Sequence, residues 1–147
     1  METIELQRKT FALPGKVESY WFENSNIGLE NTLFHRVTIP LKKFDSGLSY
    51  EDQPLETDIV FDWYKLNIEN PEELNDINMS HTNYKEAEAS IYVGSAHNWC
   101  VVKKLLFTMH KDNKYKVVGE LTVEFENERV AKNEEFNFET TVEYIKA

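Results

Sequence analysis

The chain has 147 residues, 41% of them apolar and 13% aromatic, which suits one folded domain over residues 1–147 and excludes a disordered chain. Sixteen Lys and Arg against 26 Asp and Glu give a net charge of −10, which opposes binding to nucleic-acid phosphates. The single cysteine excludes an internal disulfide, and no apolar run reaches the ~18 residues of a membrane-spanning helix.

Residues 3–13 read as a first strand, with Ile4 and Leu6 on one parity and Phe11 and Leu13 on the other. The parity change at Arg8-Lys9 marks a bulge or break. Pro14-Gly15 is a turn. Residues 16–23 form the next strand, where Tyr20-Trp21-Phe22 puts aromatic bulk on both faces. After a loop at 24–28, residues 31–41 alternate with Leu33, His35, Val37, Ile39 and Leu41 on one face. Pro40 marks an edge or a strand terminus there.

Residues 45–56 are loop, and 57–68 are strand with a parity shift that predicts a bulge near Trp63-Tyr64. Asn70-Pro71-Glu72-Glu73 has the residues of a capped helix start, giving one short helix near 71–78.

The remainder reads as a four-stranded antiparallel meander over residues 85–93, 99–109, 115–126 and 135–145. Lys111-Asp112-Asn113 suits a hairpin loop with Asn113 in the left-handed position. Side-chain parity pairs Phe107 with Val117 and Phe125 with Phe136, and sets Glu88, Lys104 and Glu120 in one outer row. The result is an all-β fold of about eight strands: an antiparallel β-sandwich, with an up-and-down β-barrel as the alternative. The parity breaks in the N-terminal half favour the sandwich, since strands that switch sheets bend at such points.

No motif indicates catalysis. Cys100 falls on the outer face opposite Tyr92 and Glu124, where a carboxylate disfavours the thiolate a nucleophile needs. The four histidines have no zinc-ligand spacing, so neither a metal nor a cofactor is expected.

Three functions remain, of which the third, an enzyme, has no motif behind it. The first is a non-enzymatic interaction protein, of an immunity or assembly type, offering an outer face of Glu120, Glu124, Glu126, Glu139 and Glu143 to a basic protein. The second is a small-ligand carrier whose interior pocket is lined by Lys103, His35, Trp21 and Trp63, with Lys103 projecting inward beside the small Ala89. An inner apolar cavity above ~300 Å³ favours the carrier, and a filled core favours the interaction protein. The first ten residues lack the charged-then-apolar pattern of a leader, so a cytoplasmic location is expected.

Overall fold

The computed structural model describes residues 1–146. Seven strands form one closed barrel in sequential order: β1 (Gly15–Asn24), β2 (Leu29–Pro40), β3 (Asp58–Tyr64), β4 (Glu88–Val93), β5 (Ala96–Lys111), β6 (Lys114–Val123) and β7 (Glu134–Ile145). Consecutive strands are antiparallel. With an odd number of strands the closing pair must be parallel, and Gly15–Glu18 of β1 lies on Val142–Ile145 of β7. The fold is therefore the barrel and not the sandwich. The parity breaks are bulges within one continuous sheet, not corners between two.

Two bulges set the faces. On β3 the ladder passes from Val37–Phe61 to His35–Tyr64, so Asp62 and Trp63 both turn to the outer wall. On β5 the ladder passes from Val102–Leu121 to Lys104–Glu120, leaving Lys103 as the extra residue. Leu105 and Phe107 point inward beyond the bulge, whereas Val102, Cys100 and Asn98 point inward before it. Cys100 is thus fully buried and not on the outer face, and Lys103 is exposed on the outer wall and not in the interior.

The remaining expectations divide along similar lines. Phe107 faces Val117 as parity requires. Phe136 faces Leu121 rather than Phe125, because the chain leaves β6 at Val123 and Phe125 enters a 3-10 turn, Phe125–Glu128. Phe125 remains fully buried from that turn. Lys104 meets Glu120 at 3.8 Å, but Glu88 pairs with Asp62 on β3 and takes no place in that row. The helix near 71–78 is one 3-10 turn, Pro71–Leu74, with the capping box between Asn70 and Glu73 in place. Beyond it the chain runs extended against β5, where Met79 N–H donates to Leu105 O and His81 N–H to Val102 O.

Residues 3–13 are not a strand. They carry α1 (Leu6–Lys9), whose Leu6 is buried at one barrel rim together with Ile4. The Glu134 carboxylate accepts the N–H groups of Ile4, Glu5 and Leu6 at 2.7–2.8 Å. Gln7 exchanges two hydrogen bonds with the backbone of Asn137, as a strand partner would. This segment covers the part of the β7 edge that β1 does not reach.

The interior is filled by side chains from every strand, among them Phe61, Tyr64, Phe107, Tyr115 and Phe136, all fully buried. Gly119 makes room for the ring of Phe138 on β7, which would lie 2.3 Å from a Cβ at that position.

Leu121 faces this core with no exposure, whereas Glu120 lies on the outer wall. Leu121→Ala is expected to lower stability by ~2–5 kcal/mol and Glu120→Ala by less than about 1 kcal/mol. Denaturant melts of the two variants check this, and equal losses would show that the faces are misassigned.

Candidate functional site

The residues singled out for a ligand do not converge. His35 is fully buried inside the barrel, with Nε2 3.2 Å from the Tyr144 hydroxyl and Nδ1 without a hydrogen-bond partner. Lys103 lies on the outer wall and pairs with Glu135 across the sheet. Trp21 is 63% exposed, while Trp63 is packed against other aromatic rings.

The acidic residues alternate with lysines on the outer wall of β5, β6 and β7. Glu120 pairs with Lys104 at 3.8 Å and Glu139 with Lys116 at 2.5 Å. Glu126 is tied to the loop, exchanging backbone and side-chain hydrogen bonds with Asn133. Among the described residues, Glu124, Glu126 and Glu143 have no cation within salt-bridge distance.

What the fold does assemble is an aromatic cluster outside the barrel. β1 pairs with β7 only through Glu18, and β2 pairs with β3 only to His35. Residues 19–34 therefore project as a two-stranded arm. An isolated hairpin is marginal in water, so the arm needs a surface to lie on.

Trp63 supplies it. Its ring makes edge contacts with Tyr20, Phe22 and Phe34 at centroid distances of 5.9, 5.1 and 5.3 Å. The bulge that turns it outward puts Trp63 at φ 62°, a strained backbone for a large side chain. Asp62 holds that bulge: its carboxylate accepts from Trp63 N–H at 2.7 Å, Tyr20 O–H at 2.6 Å and Arg36 Nε at 2.8 Å. Arg36 also lies 4.7 Å above the Tyr20 ring. Burial, and then the Asp62 carboxylate, hold the Tyr20 phenol protonated well above its ordinary range.

Beside this cluster a cleft of about 490 Å³ opens between the arm and the segment preceding β4. Its apolar walls are Ile27, Leu29, Phe34, Trp63, Tyr84 and Ala87, with Lys65, Lys85 and Glu86 also lining it. Trp63 was expected from the sequence to line an interior pocket, and it lines this outer cleft instead. Phe34, Tyr84 and Ala87 were not, because they come together only through the β3 bulge. The one available signal was Phe34 itself, an aromatic on the opposite parity to Leu33 and His35.

Burial, reinforced by Glu124, raises the Cys100 thiol to about 12. His81 stacks on Trp99 with centroids 5.4 Å apart and accepts Val102 N–H on Nδ1 at 2.9 Å. Its neutral form therefore carries the proton on Nε2. No group of three or more His, Cys, Asp or Glu among the described residues is placed to hold a metal ion. No helix among them is long and apolar enough to cross a membrane.

Burial lowers His35 from 6.5 to about 4, so the fold favours its neutral ring. The unfolded chain takes up the proton near 6.5, which makes the His35 contribution complete above that pH and lost as pH falls toward 4. Urea melts across this window are expected to show about 3 kcal/mol less acid loss in His35→Gln than in wild type. Parallel curves for the two proteins would remove His35 as the cause.

No family model, curated protein or solved structure matches the chain.

Proposed function

We propose that the protein is a non-enzymatic binding protein that takes an apolar group of a protein partner into the cleft beside the β1–β2 arm. The observation that carries this is a contrast. The barrel interior is occupied by its own large side chains, while about 490 Å³ of aromatic-walled space lies outside it. Aromatic side chains on a supported surface give large contact area at low entropic cost, as interface anchors do.

The charge of −10 supports a basic partner, because a field of one sign accelerates encounter with the other. Glu124, Glu126 and Glu143 are the outer carboxylates best able to act this way, since Glu120 and Glu139 already face lysines. The lone cysteine suits a reducing compartment such as the cytoplasm.

The cleft is tested with Nile red, a neutral dye whose emission reports apolar surroundings. Wild type is expected to bind it, and Leu29→Arg, at the half-buried cleft wall, to bind it about tenfold more weakly or less. Equal binding by the two would sink the cleft. The acidic surface is tested separately with Glu124, Glu139 and Glu143 all replaced by Gln. Capture of a basic partner by wild type is expected to weaken with added salt and with the triple variant. Unchanged capture at low and high salt would remove those carboxylates from the proposal.

A further inference from the structure

The arm has a second recognition surface, on its edge rather than its face. β2 keeps one register with β1 from Thr38 to Thr32, so its backbone alternates without interruption. Leu41 N–H donates to Thr57 O on the β3 side, and Leu13 N–H donates to Pro40 O on the β1 side. Odd residues of β2 therefore direct their backbone groups toward β3, and even residues toward β1. Since β3 stops pairing at Tyr64, the N–H and C=O groups of Leu33 face outward with no strand beside them, and beyond Thr32 the register shifts at a bulge before Leu29.

A groove of about 630 Å³ runs along this edge, bounded on its far side by the chain leaving β3. Trp21, Leu33 and Ile68 give it an apolar lining, with Glu30, Glu69 and Lys65 as its charges. Sheet edges in monomers are normally guarded by Lys, Pro, a bulge or a covering segment. Residues 19–34 contain no Lys, Arg or Pro, and the bulge of β2 lies beyond Leu33, between Leu29 and Thr32. The contrast with β7 is direct, because its open edge is covered by the N-terminal segment and the Gln7 side chain.

We propose that the β2 edge at Leu33 accepts an extended basic strand of a partner protein, which adds to the sheet through backbone hydrogen bonds. The added strand would place alternate apolar side chains against Trp21, Leu33 and Ile68 and its basic side chains toward Glu30 and Glu69. Charge selects this occupant over a second copy of the chain. The arm carries Glu23 and Glu30 and no Lys or Arg, so pairing two arms brings like charges together, whereas a lysine-bearing strand is complementary. The edge site is separate from the cleft, and either can fail without the other.

The test is a nuclear magnetic resonance titration of the full chain with a short synthetic peptide alternating lysine and valine. The amide signal of Leu33 is expected to move, and its hydrogen exchange to slow by about tenfold. A glutamate–valine peptide should leave it unchanged, and added salt should weaken the lysine peptide. Leu33→Pro deletes the outward N–H without touching a bond to β1 and, where its melt stays cooperative, should lose the peptide while keeping Nile red. Glu30→Gln with Glu69→Gln should weaken the peptide in the same way. Shifts confined to other residues, or an equal response to both peptides, would overturn the proposal. So would concentration-dependent shifts of the same amide without peptide, which would assign the edge to a second copy.

Discussion

The barrel depends on a seam four residue pairs long. Among the described residues, Gly15–Glu18 against Val142–Ile145 is the only strand pairing that joins the two ends of the sheet. Parallel ladders are slightly weaker per residue than antiparallel ones, so a short parallel seam has little to spare. It also admits no side chain at its first position, because a Cβ on Gly15 would lie 2.2 Å from Thr38 O. Such a seam cannot protect the whole β7 edge, and the N-terminal segment makes up the difference. The Glu134 carboxylate and the Gln7 amide stand in for the missing strand.

The short seam also produces the projecting arm. Because β1 and β2 are longer than the contacts that close the barrel, their far halves outgrow it and must be steadied from one side. Trp63 does this from a bulge that Asp62 clamps with its backbone and side-chain partners. One face of the arm is spent on that contact. The other face and the outer edge of β2 are left to solvent, which is why Trp21 is among the most exposed large apolar side chains.

Much of this was legible in sequence wherever local alternation was uninterrupted. The pairing of Phe107 with Val117 holds, as do the Trp63 bulge, the left-handed Asn113 and the capping box at Asn70. The failures lie where a backbone irregularity is invisible to alternation. Trp99, Val101 and Leu105 share odd parity and look like one face, but the extra residue at Lys103 rotates everything before it. Lys103 was thereby assigned inward and Cys100 outward, the reverse of what the bulge produces. Likewise Phe125 continues the apolar parity of β6 after the strand has ended, so register counted from it is displaced along β7. At residues 3–13 alternation was too weak to compete with a helical turn docked on Glu134. The site was less legible than the fold, since Phe34, Trp63, Tyr84 and Ala87 come from separate segments and share no spacing.

The parallel closing pair has a consequence for the topology of the chain as a whole. The N-terminal segment docks at Glu134, where β7 begins, and β7 leaves the barrel at the rim from which the arm projects. The twelve residues of β7 at ~3.3 Å each put those rims about 40 Å apart along the strand. An even-stranded meander would return its last strand to the starting rim, where a short linker could join the ends. Here circular permutation needs a connection that runs the full height of the wall, while a group attached after β7 emerges beside the arm.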